Sequence, residues 1–220
     1  MTPFLFLALA KHQTIYFKRL LSETDLSGKV LSPAQMPLPR LWRLPAITAR
    51  LDWSALIEEK CQERRVKRKY EGFLYRLLLR LELAWMALRV DALLHRERPA
   101  NVVMWNGSHR YCQLLLALRP EACGTFFFEN GLLPDTTTVD SKGVNYRNSV
   151  PRDADFYRTY RPAEDASEAR LQLIPRVSRN KDLKSVSLPE RYVFIPFQDD
   201  RDTQVRLFSP WIGDMRQLFA

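Results

Sequence analysis

Cysteine and histidine are scarce in this 220-residue chain, with three of each. The cysteines, Cys61, Cys112 and Cys123, are odd in number and form no Cys-x-x-Cys pair, which argues against a disulfide framework or a structural zinc site and fits a reducing compartment. His12, His95 and His109 are too far apart to form a helical metal-binding pair, so no metal is expected. Glycine is sparse, and neither a P-loop nor a dinucleotide fingerprint occurs. The apolar run Pro3–Ala10 is far shorter than the about 20 residues that cross a bilayer. It resembles a secretion signal only superficially, because no basic residue precedes it and no small-residue cleavage site follows. Phe4–Leu9 therefore reads as a buried first strand.

What is present is an ordinary globular mixture of 46% hydrophobic and 27% charged residues, enough apolar surface to offset chain entropy. Acidic residues are outnumbered, giving a net charge of +9. Residues 11–22 predict a helix with Tyr16, Phe17, Leu20 and Leu21 on its apolar side. Pro33, Pro37, Pro39 and Pro45 predict an extended surface crossing. From Leu51 to Arg96 there is no proline, and Tyr70, Leu74, Leu77, Leu78, Leu81, Trp85 and Leu88 recur at helical spacing as a packing stripe. Gly72 marks the weak point, so this stretch is two helices or one bent helix.

The cationic run Arg64, Arg65, Lys67, Arg68 and Lys69 reads either as a solvated helix face or as a contact for an anionic membrane or phosphorylated substrate. Aromatic residues do not interleave with it, and no nucleic-acid partner is expected.

After Pro99 the pattern becomes strand, helix, strand. Asn101–Trp105 is a buried strand, Asn106–Gly107 a turn, and Ser108 a cap for a helix through Tyr111–Leu118. Thr125–Phe128 is the next strand. This is the α/β signature, and such sheets bind ligands beyond the carboxyl ends of their strands. Asn106–Arg110 and Glu129–Gly131 lie at two such ends. Residues 130–161 are too long for an idle loop and carry apolar anchors, which predicts a tethered, packed active-site loop. Residues 162–188 read as a polar linker with a short helix or strand, Tyr192–Pro196 as a strand, and Ser209–Phe219 as a helix.

Three segments, NVVMWNGSHR at 101–110, FFFENGLLPDTTTVDSKGVNYRNSVPRDADFY at 126–157 and FIPFQDDRDTQV at 194–205, resemble the bacterial capsule polysaccharide biosynthesis family. Members of that family are similar to retaining β-Kdo glycosyltransferases. The specific elements are Glu-x-Gly-x-x-Pro at 129–134 and Val-Asp-x-x-Gly-Val-Asn at 139–145.

The resemblance implies an α/β fold in which residues 1–188 form the Rossmann-like, acceptor-side N-terminal domain of a GT-B glycosyltransferase. Residues 189–220 would begin an incomplete second, nucleotide-binding domain or form an extension. It implies Kdo transfer from CMP-Kdo to a glycan or glycolipid acceptor, with retention through a covalent adduct, no separate cofactor, and a role in capsule or lipopolysaccharide biosynthesis. It places the protein in the cytoplasm, peripheral to the inner membrane and its capsule assembly proteins. The family's second-half basic and histidine motifs have no match here, which leaves donor binding to another part or partner. A non-catalytic glycan-binding or assembly subunit is the alternative.

On the same resemblance, Asp140 is the nucleophile, because a retaining transfer needs an ionised carboxylate at the anomeric carbon. Glu129 is the general base to the acceptor hydroxyl or orients that base, and His109 is a further base candidate. Asn106, Asn145 and Arg152 would hold sugar hydroxyls or the sugar carboxylate, the last through its bidentate donor fork. Plainer readings stand beside these. Asp140 caps a turn before Gly143, Glu129 pairs with a cation, His109 starts a helix, Asn145 occupies a turn, and Arg152 pairs with Asp153. Trp105 and Phe126–Phe128 read as core.

Overall fold

The computed structural model describes residues 2–131, 133, 135–161, 187–209 and 211–219. Strands β1 (Phe4–Leu7), β2 (Gly28–Leu31), β3 (Asn101–Trp105), β4 (Gly124–Asn130) and β5 (Thr137–Asp140) form one sheet in the order β2-β1-β3-β4-β5. The first four are mutually parallel and β5 runs antiparallel to β4. The helices are α1 (Lys11–Glu23), α2 (Leu44–Thr48), α3 (Trp53–Val66), α4 (Phe73–Glu97), α5 (Arg110–Leu118), α6 (Ala154–Thr159), α7 (Thr203–Phe208) and α8 (Met215–Phe219). The protein is thus an α/β fold with a mostly parallel sheet. None of the helices described is long and apolar enough to cross a membrane.

Both sheet faces are covered, which explains why β1 and Val102–Trp105 of β3 are apolar without interruption. Successive side chains alternate faces. Leu5, Leu7, Val102, Met104 and Phe127 join the larger core with α4 and α5. Phe6, Ala8, Val103 and Phe128 join the smaller core with Phe17 of α1. Phe17 is the buried centre of the apolar side anticipated for that helix.

The long proline-free stretch is two helices. Residues 67–72 separate α3 from α4, and Gly72 is the N-cap of α4. The stripe along α4 departs from expectation. Its buried seam is Leu79, Leu83, Met86, Val90 and Leu93, whereas Leu74, Leu77, Leu78, Leu81 and Trp85 are exposed. Both sets recur at helical spacing, because this helix is apolar nearly all round. Of the anticipated stripe, Leu88 alone is buried.

The proline-rich crossing is more structured than expected. It holds 3-10 turns at Pro33–Gln35 and Leu41–Arg43 followed by α2, and it buries Met36 and Ile47. Arg89 of α4 donates to the carbonyls of Met36 (2.7 Å) and Pro37 (3.2 Å). Arg43 makes a two-point ion pair with Asp91, Nε–Oδ2 3.1 Å and Nη2–Oδ1 2.9 Å.

β2 and β5 went unrecognised in the sequence because GKVL and TTVD are not apolar runs and contain no buried residue, unlike the equally short β1. Tyr192–Pro196 belongs to no strand, and these residues are largely exposed. The last helix is shorter than expected, and α7 precedes it. The structure anticipated for 162–188 falls almost wholly outside the described residues.

Candidate functional site

In this strand order the chain leaves β1 toward β2 and returns to β3 on β1's other side. The carboxyl ends of β1 and β3 are therefore the topological switch point, where neighbouring connections diverge and open a crevice. A cleft of about 450 Å³ lies there. Leu9 and Trp105 come to it from the two strand ends, Gln13 from α1, Glu59, Lys60, Glu63 and Lys67 from α3 and its end, and Arg201 and Arg206 from the C-terminal segment. Asn106, Ser108, His109 and Arg110 complete the side that sequence reasoning had singled out.

The turn after β3 builds that side. Asn106 has φ +62° and Gly107 φ +80°, left-handed values that suit Asn and Gly. A Cβ on Gly107 would lie 2.7 Å from the Phe127 ring, so glycine is required there twice over. The Asn106 N–H donates to Phe128 O at 2.8 Å, tying the turn to β4. Its side-chain amide donates to Glu129 Oε2 at 2.6 Å. The Glu129 partner is thus a neutral amide, not a cation.

His109, rather than Ser108, is the N-cap of α5; its Nδ1 accepts from Tyr111 N–H at 3.2 Å. Nε2 lies 3.2 Å from the Arg110 guanidinium. Burial in the cleft wall, then the charge of Arg110, push this histidine down to about 4. The residue as a whole nonetheless remains exposed to solvent. The imidazole is neutral at pH 7.

Charge in the cleft is dense but largely paired. Burial opposes ionisation of Glu63, yet hydrogen bonds from Lys60 and Lys67 outweigh it and hold the carboxyl at about 2. Arg110 pairs with Glu82 at 2.7 Å, and Arg201 with Asp199 at 2.6 Å. Burial raises Glu59. Five cations and two carboxylates line the space, an excess of positive charge. Trp105 packs edge-on to Tyr16 as expected of core, and it also reaches the cleft.

Asp140, Asn145 and Arg152 form a separate group. The Asp140 carboxylate accepts from Lys142 N (2.7 Å), Gly143 N (3.2 Å), Ser149 N (2.8 Å) and Ser149 Oγ (2.6 Å). Partial burial would raise it, but these bonds prevail and hold it at about 2. It caps the turn before Gly143. Asn145, at φ +53°, opens a 3-10 turn, as its plainer reading had it. Arg152 donates to the carbonyls of Asn145 (3.4 Å) and Tyr146 and to Asn148 Oδ1 (3.1 Å). Asp153 instead caps α6. The loop is tethered, with Val144 buried and Tyr146 stacked on Phe208 at 5.2 Å, but it is less packed than expected, because Val139, Tyr146, Phe156 and Tyr157 are exposed.

The six anticipated residues therefore divide. Asn106, His109 and Glu129 gather at the ends of β3 and β4, while Asp140, Asn145 and Arg152 knit the loop beyond β5. Register places Phe127 opposite Asp140 and Glu129 opposite Thr138. Glu129 and Asp140 thus share a sheet face as diagonal neighbours, a relation spanning about 7–8 Å in such pairs. Their carboxylates serve different networks. Lys60, Glu63 and Arg206 were not singled out; the signal for them was their proximity in sequence to Lys67 and the 194–205 segment. Among the described residues no cluster of three or more metal-ligating side chains occurs.

Protein FixF of Sinorhizobium fredii (strain NBRC 101917 / NGR234) is 38% identical over 119 residues, which cover 54% of this chain and 29% of that protein. The chain thus matches less than a third of the length of this relative. No family model matches. No solved structure matches.

Proposed function

We propose that this chain is the acceptor-side α/β part of a glycosyltransferase that moves Kdo from CMP-Kdo to a glycan or glycolipid in capsule or lipopolysaccharide biosynthesis. The sequence resemblance supplies the chemistry of this reading. The supporting structural observation is the cleft at the switch point between β1 and β3, with neutral His109 in its wall and the Asn106–Glu129 pair beside it. Residues 189–220 are, in this reading, the start of the nucleotide-binding part.

The residues have defined tasks in this mechanism. Asp140, ionised at neutral pH, turns from Ser149 to the sugar and bonds to the anomeric carbon as the bond to the CMP phosphate breaks. The acceptor hydroxyl then attacks that carbon, displacing Asp140, and its proton passes to Glu129 or His109. Arginine and asparagine donors hold the sugar acid.

A second reading is favoured by one observation: the Asp140 carboxylate is fully engaged by the loop. It makes the chain a non-catalytic glycan-binding or assembly subunit. Incubation with CMP-Kdo and a lipid-linked acceptor separates the two. Product that disappears in Asp140→Ala and Glu129→Gln supports the transferase. Glycan binding without product, unchanged in Asp140→Ala, overturns it in favour of the subunit, and neither binding nor product overturns both.

A further inference from the structure

Among the described residues nothing covers the outer face of α4, which is apolar. Phe73, Leu74, Leu77, Leu78, Leu81 and Trp85 fall on one side of the helix at 3.6 residues per turn. All are exposed, Leu81 at 59% and Phe73 at 80%. No charged residue interrupts this arc. Its continuation at Leu88 and Ala92 is buried, on the half of α4 that holds the Pro33–Thr48 segment through Arg89 and Asp91. The same helix face is therefore finished at one end and left open at the other. Six exposed large apolar side chains on one face of one helix mark a contact site.

The cations around the α3–α4 junction fall into two sets. Arg65, Lys67 and Arg76 are held by Glu58, Glu63 and Glu71. Among the described residues Arg68, Lys69 and Arg80 have no carboxylate partner. Arg80 stands at the edge of the apolar arc, lining a groove with Phe73 and Leu77. Arg68 and Lys69 occupy the turn that leads into α4.

We propose that this face of α4, flanked by Arg68, Lys69 and Arg80, is the surface by which the protein lies on an anionic phospholipid bilayer. The charge pattern selects this occupant. A second copy brought face to face would set these same unpaired cations against each other, on chains that each carry +9. An anionic headgroup layer neutralises them while the acyl boundary takes up the leucines. The helix lies along the interface, since it is not apolar enough to cross. Phe73 and Trp85 supply aromatic side chains of the kind that settle at headgroup level.

The test is flotation of the full chain with vesicles of phosphatidylcholine alone and of equal parts phosphatidylcholine and phosphatidylglycerol. The expected result is binding to the anionic vesicles, weakened by salt. Leu77→Glu with Leu81→Glu should reduce it about tenfold or more, as should Arg68→Glu, Lys69→Glu and Arg80→Glu together. All five positions are exposed, so unchanged thermal melts should accompany the loss. Equal binding by wild type and both variants overturns the proposal. So does a wild-type dimer that Leu81→Glu converts to monomer, which would assign the face to a second copy. The inference is independent of the transferase reading: vesicle binding without product sinks only the latter.

Discussion

The amide of Asn106 donates to the carboxylate of Glu129 at 2.6 Å, joining the carboxyl ends of two neighbouring parallel strands across 23 residues of chain. Asn106 can reach because its backbone is left-handed, turning its side chain toward β4. Replacing that donor by a like charge is the sharpest probe. Asn106→Asp should destabilise the fold at pH 7 by roughly 1–3 kcal/mol, since two carboxylates then share the site. One of them is raised in the folded state, so the penalty is full above that raised value and fades as pH falls toward the ordinary carboxylate value of about 4. Urea melts of mutant and wild type across that range check both the size and the sign.

His109 makes the opposite demand on pH. Its folded value of about 4 lies below the ordinary histidine value, so the unfolded chain takes up a proton first as pH falls. The stability it contributes is complete above about pH 6.5 and declines from there toward about pH 4. The solvent exposure of this residue reduces the effect to the order of 1 kcal/mol. His109→Asn keeps an N-cap acceptor for Tyr111 N–H and should remove this part of the pH slope in denaturant melts.

Asp140 holds its loop by four hydrogen bonds. Asp140→Ala should cost about 1–2 kcal/mol and raise amide exchange at Lys142, Gly143 and Ser149. With the carboxyl held at about 2, its contribution is present above about pH 4 and is lost as pH falls toward about 2. An NMR titration of the side-chain carbon reads the value directly.

Arg43 and Asp91 fasten the proline-rich segment to α4, and Asp91 is only 2% exposed. Arg43→Met should destabilise by about 2–4 kcal/mol, because it leaves a buried carboxylate with a weaker set of partners. Adding Asp91→Leu should restore most of the loss. Melts of the single and double variants decide this.

All three cysteines are unpaired and buried. Burial pushes the Cys112 thiol up to about 12, so it carries almost no thiolate at neutral pH. An aromatic disulfide reagent should find essentially no reactive thiol in the native protein and three after denaturation.

The central strands and the first helix were legible because local pattern and burial agree there. β1 and Val102–Trp105 of β3 are short apolar runs, and the Asn-Gly pair after β3 has the backbone freedom its turn requires. The site was legible only in part. Asn106, His109 and Glu129 stand at strand ends, where the α/β pattern directs attention. The charged wall from α3 and the C-terminal segment is non-local, and sequence spacing carries no record of it. Asp140 was visible as a residue type and position, but its four loop bonds were not.

From residue order alone came the α/β class, the turn after β3 and the break near Gly72, each set by backbone and side-chain chemistry within a few neighbours. Which side of α4 meets the sheet was a tertiary decision. Leu83 and Leu81 are the same residue type two positions apart, yet one is 0% and the other 59% exposed. Two apolar seams on one helix are equivalent to local physics, and only packing against β1, β3 and α5 selects between them.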